Sequence, residues 1–304
     1  MEMAEIRPFE PQMAEIDLFT MPDAVGVGEP SVRKVKPYIA GHVTDGSSTF
    51  TFTVNNNESV TVPVDANGNW KWVVDITITS FYQSFFQKTN CDYYEVYIPK
   101  CPTLQTIRGM FKYVGYNGSE YVLDNITVVI KALDTINVTT FYEAFQSSAI
   151  KAINFDKFTS TSKVTSFYTA FNTTGMETLD LRGIDVSSAT DIRNQVWWSA
   201  CKTIHLGDFL SNPNVQQGQI FSGGSANIVN VTANNIKISQ SLQYCNKLTE
   251  QSVVNLFNAV AADGITLTFH ATVYATIEEQ LEIEGSPIYE AYWNSDYDFN
   301  YASA

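Results

Sequence analysis

Blocks of apolar residues recur along the middle of the chain at a nearly constant interval. The block at 164–171 reads Val-Thr-Ser-Phe-Tyr-Thr-Ala-Phe, and the block at 138–145 reads Val-Thr-Thr-Phe-Tyr-Glu-Ala-Phe. Eight residues after its last phenylalanine, each block is followed by an apolar-polar-apolar triplet. The anchor positions are separated by 26, 25 and 25 residues (171−145, 196−171, 221−196): Phe145, Phe171, Val196 and Phe221. A fixed interval of this length indicates a repeat architecture.

Each repeat predicts one short helix and one short strand. Phe141 and Phe145 are an i, i+4 pair, which shares one face of a helical turn. The triplets alternate, so their outer residues are expected in the core and their middle residue outside. Phe85 and Phe111, again 26 apart (111−85), extend the array towards the N-terminus. The sequence thus predicts an α/β repeat solenoid over residues 78–249, with a 25–26-residue period of the leucine-rich-repeat kind.

The segments on either side of the repeats have different patterns. Residues 37–77 alternate apolar and polar positions between Asn- and Gly-rich turns, which predicts antiparallel strands. They form either a β-hairpin cap on the first repeat or a small Ig-like module. Residues 250–304 predict a capping helix, a final strand and an acidic, Tyr-rich tail. For this tail, a solvated segment and a second docking segment both remain open.

Residues 1–36 form a Pro- and Glu-rich thread that carries isolated apolar side chains. Composition alone favours a disordered leader, because so few apolar residues cannot build a core. We interpret the segment instead as an extended anchor arm that docks into another protein. The residues expected to make that contact are the large apolar ones: Ile6, Phe9, Ile16, Leu18 and Phe19.

The repeat pattern resembles a known family. The pattern Val-Thr-x-Phe/Met-x-x-Met/Phe-Phe, followed by an apolar-x-apolar strand, is similar to the BspA-like leucine-rich repeats of bacterial surface proteins. The stretch at 242–249, Leu-Gln-Tyr-Cys-Asn-Lys-Leu-Thr, resembles the last repeat of that family. The resemblance covers roughly residues 78 to 283, although leucine is scarce and residues 189–235 fit loosely. It implies a scaffold fold, and a version carried by a phage of gut bacteria, but it does not define a function.

Composition and charge exclude some classes of function. The formal net charge of −14 argues against binding nucleic acid or an anionic membrane, because both need clustered Lys and Arg. No run of 18 apolar residues predicts a membrane-spanning helix, so no membrane insertion is expected. The first residues lack the basic and apolar regions of a signal peptide.

Little in the sequence points to site chemistry. The four cysteines form no C-x-x-C pair, so we predict no metal site; a Cys91–Cys101 disulfide remains an alternative, and Cys245 is expected to be a core thiol. No nucleophile, metalloprotease or nucleotide-binding motif appears. We therefore predict no catalytic residues, no cofactor and no enzymatic activity.

The middle residues of the predicted repeat strands should form a ladder with rungs about 4.8 Å apart. In solenoids such a ladder lines an extended binding surface. The candidate residues are Asn154, Asp180, His205 and Asn230, preceded along the chain by Tyr97 and Val129.

Two functions are expected. The first is a phage virion structural protein, such as a capsid-decoration, head-fibre or tail component, held to other virion proteins by residues 1–36. The second is a bacterial cell-surface adhesin of the BspA-like type. In either setting the partner of the ladder would be a host-surface protein or glycan.

Overall fold

The structure, a computed structural model, describes residues 35–304 apart from 124, 154, 173–174, 197–199, 217, 222 and 224. Of the predicted anchor arm, only its last two residues fall within this range. The five apolar residues expected to make the anchor contact lie outside the described residues: Ile6, Phe9, Ile16, Leu18 and Phe19.

Short strands dominate the regular structure. The strands are β1 (Tyr38–Val43), β2 (Thr49–Val54), β3 (Glu58–Pro63), β4 (Asn69–Val73), β5 (Cys91–Ile98), β6 (Ile126–Leu133), β7 (Ile150–Ala152), β8 (Thr178–Asp180), β9 (Thr203–His205), β10 (Asn230–Thr232), β11 (Gln240–Leu242), β12 (Ile265–Phe269) and β13 (Phe299–Ser303). The α-helices are α1 (Glu250–Asn258), α2 (Ala271–Leu281) and α3 (Pro287–Trp293). Two 3₁₀ turns, Phe155–Lys157 and Ser225–Asn227, complete the set.

A five-stranded mixed sheet, in the order β4-β1-β5-β6-β7, joins the antiparallel segment to the first strands of the region predicted to be repetitive. Strand β1 runs antiparallel to both β4 and β5, whereas β5, β6 and β7 run parallel. Because β1 pairs with β5, residues 37–77 share a sheet with the next part of the chain. This pairing argues against the Ig-like alternative, in which the segment would be a separate module.

The hairpin of β2 and β3 packs against the edge of the next segment of the chain, at Thr79 and Ser80. Its turn residues Asn55 and Asn56 have positive φ, 48° and 60°, a conformation that asparagine adopts more readily than most residues. Asn55 N–H donates to the Ser80 carbonyl at 2.9 Å, and Asn55 Oδ1 accepts from Thr79 N–H at 2.9 Å. Backbone groups that would otherwise form an unpaired edge are therefore satisfied.

The predicted α/β repeat solenoid is wrong. The structure has small mixed sheets and few helices, and among the described residues every α-helix lies after residue 249. In place of the predicted repeat helices, the chain makes overlapping tight turns. Glu143 and Thr169 have φ of 59° and 48°, and such left-handed residues interrupt a right-handed α-helix.

Hydrogen bonding explains why turns replace the helices. Phe141 N–H donates to the Ser166 carbonyl of the next segment at 2.9 Å, whereas Ala144 N–H closes a turn onto the Phe141 carbonyl at 2.9 Å. The N–H groups thus alternate: one hydrogen-bonds within its own segment, and the other hydrogen-bonds to a carbonyl of the next segment. An α-helix would direct all of them within one segment. We call the five aligned segments, 79–88, 105–114, 139–148, 165–172 and 190–196, the turn stack.

The anchor phenylalanines pack inside the turn stack. The rings of Phe85 and Phe111 are 5.1 Å apart, those of Phe111 and Phe145 are 5.6 Å apart, and those of Phe145 and Phe171 are 6.3 Å apart. All four side chains are buried and belong to one hydrophobic cluster that runs from Ile39 to Phe299. The core is therefore continuous from the first strand to the last.

The acidic, Tyr-rich tail is packed onto the rest of the chain. Strand β13 pairs in parallel with β12, which in turn pairs with β11. The Phe257 ring of α1 lies 5.2 Å from Phe299 and 5.7 Å from Tyr292. Of the two interpretations left open for this tail, the solvated one is wrong for residues 299–303.

Candidate binding surface

Two of the four predicted ladder residues lie side by side in the structure. Asp180 of β8 is paired with His205 of β9, whereas Asn230 is paired with Thr203, two positions away from the expected row. The neighbour of His205 on β10 is Thr232. Asn154 lies outside the described residues. The register differs because Val231 is the buried residue of β10, and it stands opposite Ile204.

The polar groups of this row are satisfied by their own neighbours. His205 Nδ1 lies 2.8 Å from Thr232 Oγ1. Arg182 binds the Asp180 carboxylate through Nε and Nη2 and holds the pKa of that carboxyl below its usual range. Asn230 Nδ2 donates to Thr203 Oγ1 at 3.4 Å. The row therefore offers no convergent set of unused groups for a ligand.

A stronger candidate is the outward face of the five-stranded sheet. Strand alternation buries Ile39 of β1 and both Tyr94 and Val96 of β5. The opposite face of the same strands carries a different set of side chains, which we call the tyrosine face: Tyr38, Lys71, Tyr93, Glu95, Tyr97 and Lys131. Tyr38 itself is only 9% exposed. Tyr97 and Val129 were expected in one row of the ladder. In the structure, Tyr97 pairs with Ala132 and Val129 pairs with Glu95.

Glu95 is the centre of the tyrosine face. Its Oε1 accepts from the Tyr38 hydroxyl at 2.5 Å and lies 3.1 Å from Lys131 Nζ, while Oε2 accepts from the Tyr93 hydroxyl at 2.9 Å. Burial raises the pKa of Glu95, but the hydrogen bonds from Tyr38, Tyr93 and Lys131 outweigh it, so the net pKa shift is downward. A charged carboxylate thus fixes two phenol rings in one orientation.

Contacts with its ring also help to fix the orientation of Tyr38. Lys71 Nζ lies 4.0 Å from the centroid of the Tyr38 ring, within the range of a cation–π contact. On the other side of β1, the Tyr97 ring of β5 lies 5.5 Å from the Tyr38 ring. Burial first, and then the hydrogen bond to Glu95, raise the pKa of Tyr38. The Tyr38 hydroxyl therefore stays protonated and keeps donating to Glu95.

A hydrogen-bonded pair of His42 and Asp92 borders the tyrosine face. His42 Nδ1 lies 2.8 Å from Asp92 Oδ1, and both side chains are more than a third exposed. Because His42 follows Tyr38 on the outward side of β1, this pair extends the polar part of the surface. The surface as a whole carries two lysines, two carboxylates and the partly exposed phenols of Tyr93 and Tyr97, with Tyr38 hydrogen-bonded to Glu95 and only 9% exposed.

Sequence reasoning missed most of the tyrosine face. The alternation in Cys-Asp-Tyr-Tyr-Glu-Val-Tyr at 91–97 was the available signal, and it led only to Tyr97. The pairing of β1 with β5 joins residues far apart in the chain, such as Tyr38 and Tyr97, which are 59 positions apart (97−38). No local pattern predicts that pairing.

No family model, no curated protein and no solved structure matches this chain. The resemblance to BspA-like repeats therefore stays a prediction. Across the described part of the chain, no group of three or more His, Cys, Asp or Glu side chains is placed to hold a metal ion. Within the same residues, each helix is too short or too polar to cross a membrane.

Proposed function

We propose that the protein is a binding and display protein whose tyrosine face contacts a partner protein. The observation that carries this proposal is the Glu95-centred network, which fixes Tyr38 and Tyr93 on a rigid sheet. Tyrosine and arginine dominate the energetic centres of protein interfaces. Side chains that are ordered before binding lose little conformational entropy when they bind.

The shape and charge of the tyrosine face favour a protein over a small molecule. The tyrosine face is one side of a β-sheet, whereas small-molecule sites are concave and enclose most of the ligand. Its formal charges also balance, since the two lysines, Lys71 and Lys131, offset the two carboxylates, Glu95 and Asp92. A partner with a mixed polar and aromatic surface therefore fits better than a strongly charged one.

The state of the thiols favours a virion component as the setting. Cys91, Cys101 and Cys245 are buried free thiols, which also removes the alternative of a Cys91–Cys101 disulfide. Burial raises the pKa of Cys91 to about 11 and that of Cys245 to about 12. A fold that needs no disulfide suits assembly in a reducing cytoplasm, where phage particles form. The expected anchor arm and the virion partners would complete this role.

Binding by the tyrosine face is tested with a paired alanine variant. Tyr93→Ala with Tyr97→Ala should weaken binding of the labelled protein to host cells at least tenfold, as the loss of two interface tyrosines predicts. The matched control is Tyr244→Ala with Tyr297→Ala, which removes two tyrosines that are 45% and 41% exposed elsewhere. Equal binding by the two double variants would refute the role of the face.

The setting is tested separately by fractionation. Mass spectrometry of density-purified particles from a lysate of the source should find the chain in stoichiometric amounts with the capsid proteins. The alternative, a cell-surface adhesin, predicts that the chain is found in the cell envelope and absent from particles. The tyrosine face serves either setting, so only this experiment separates them.

A further inference from the structure

A second surface, on the turn stack, consists of one aromatic or arginine side chain from each of five successive segments. Each residue directly follows a buried apolar anchor, as Tyr142 follows Phe141. Because the segments are aligned by hydrogen bonds, the five side chains stand in a row. We call them the tyrosine–arginine column: Tyr82, Arg108, Tyr142, Tyr168 and Arg193.

The column is continuous. The Arg108 guanidinium lies 5.6 Å from the Tyr82 ring and 4.5 Å from the Tyr142 ring, so it is held between two aromatic rings. The Tyr142 and Tyr168 rings are 4.9 Å apart, and the Arg193 guanidinium lies 5.0 Å from Tyr168. Stacking against aromatic faces orders a guanidinium without using its N–H donors.

The two arginines of the column differ in their ionic partners. Arg193 binds the Asp191 carboxylate through Nε at 3.0 Å and Nη2 at 2.8 Å. The exposed Arg108 guanidinium has no carboxylate or hydrogen-bond acceptor among the residues that the structure describes. Glu143 Oε1, on the adjacent segment, forms an ion pair with Lys112 Nζ at 2.7 Å. Arg108 is therefore an oriented cation with its donors available.

We propose that the column binds a carboxylated sugar of a glycan, such as a sialic or uronic acid residue, with its carboxylate on Arg108. The planar guanidinium can donate two parallel hydrogen bonds to one carboxylate. The rings of Tyr82 and Tyr142 lie on either side of the guanidinium, and a tyrosine hydroxyl can hydrogen-bond to the hydroxyls of a sugar ring. This inference is independent of the tyrosine face and of its protein partner.

The charge of the whole chain favours an isolated carboxylate over a polyanion. The net charge of −14 repels nucleic acids and strongly acidic peptides at long range. A sugar with one carboxylate among neutral hydroxyls meets only a small part of that repulsion. It gains the local attraction of the one arginine that lacks an acidic partner in the described structure.

The test compares 3′-sialyllactose with lactose on the full chain, by calorimetry and by saturation-transfer NMR. The two sugars differ by the acidic residue alone. We expect saturable binding of 3′-sialyllactose, at least tenfold weaker binding of lactose, and weaker binding as salt increases. Arg108→Gln should reduce the affinity at least tenfold. Arg108→Lys should restore little of it, because an ammonium lacks the forked geometry.

The control variant is Arg182→Gln, which removes an exposed arginine that is paired with Asp180 away from the column. It should leave the affinity within twofold of the unmodified protein, with unfolding temperatures of all variants compared to confirm folding. Equal binding of the two sugars, no binding of either, or unchanged affinity in Arg108→Gln would overturn the proposal. So would a glutamate-rich peptide that binds Arg108 more tightly than the sugar does.

Discussion

Replacing Phe145 with alanine should cause one of the largest single losses of stability in the chain. The ring is fully buried and stacks on Phe111 at 5.6 Å with an interplanar angle of 9°. It also contacts Phe155 at 5.8 Å and Phe171 at 6.3 Å. Removing it breaks the row of stacked rings in its middle, so both halves of the turn stack lose a neighbour.

The expected cost is about 4 kcal/mol. Truncation of a buried phenylalanine to alanine costs about 3–5 kcal/mol, which includes the cavity that remains. Aromatic pairs add about 0.5–1.5 kcal/mol beyond area burial, and Phe145 takes part in several. Phe145→Leu keeps most of the volume and should cost about 1.5 kcal/mol.

Urea unfolding followed by circular dichroism measures the loss. The matched control is Phe86→Ala, which makes the same chemical change at a half-buried position, where about 1 kcal/mol is expected from the smaller area removed from water. If Phe145→Ala costs no more than Phe86→Ala, the stacked rings do not supply the stability that we assign to them.

Three further predictions concern the sheet and its neighbours. The pKa of Glu95 lies below its ordinary value of 4.5. Its contribution to the free energy of unfolding is therefore present above pH 4.5 and is lost as the pH falls through the lower folded pKa. Glu95→Gln should narrow the difference in unfolding temperature between pH 7 and pH 3, and an unchanged difference would contradict the network. Asp134→Ala should cost about 1–3 kcal/mol in urea unfolding, because the buried Cys101 N–H loses its acceptor at 2.7 Å, and Asp134→Asn should cost less. Gly41→Ala should cost about 2 kcal/mol, since a Cβ would lie 2.4 Å from the Tyr93 carbonyl oxygen; a neutral result would show that the β1–β5 pairing can shift.

Local patterns predicted the elements whose signal lies in adjacent residues. Helix α1 begins at Glu250 with Val253 and Phe257 buried, as the apolar spacing indicates. Its Thr249 cap accepts from Ser252 N–H. The strand at 265–269, which the resemblance to BspA-like repeats implied as the final strand, is β12, and β13 follows it. In each case, the residues that form the pattern also form the hydrogen bonds or contacts that fix it.

The prediction of helices in the repeats was wrong because an α-helix and a pair of overlapping turns share the same apolar spacing. An i, i+4 pair such as Phe141 and Phe145 is buried on one side both in a helix and in two overlapping turns. The choice depends on Glu143 taking a positive φ, which its identity does not disclose. Asn230 was misplaced for a related reason. Val229 and Val231 flank it symmetrically in sequence, but only Val231 is fully buried.

The alternating hydrogen bonds of the turn stack connect its fold to its surface. Because every second N–H reaches the next segment, as Glu143 N–H reaches the Tyr168 carbonyl at 2.8 Å, equivalent positions are held in register whatever side chain they carry. The backbone and the buried rings therefore maintain the stack. An outward position such as Arg108 can change without loss of a backbone hydrogen bond, whereas a side chain at Gly109 would be strained at its φ of +60°. The stack thereby places outward side chains in a row, as the contacts of Arg108 with the Tyr82 and Tyr142 rings demonstrate.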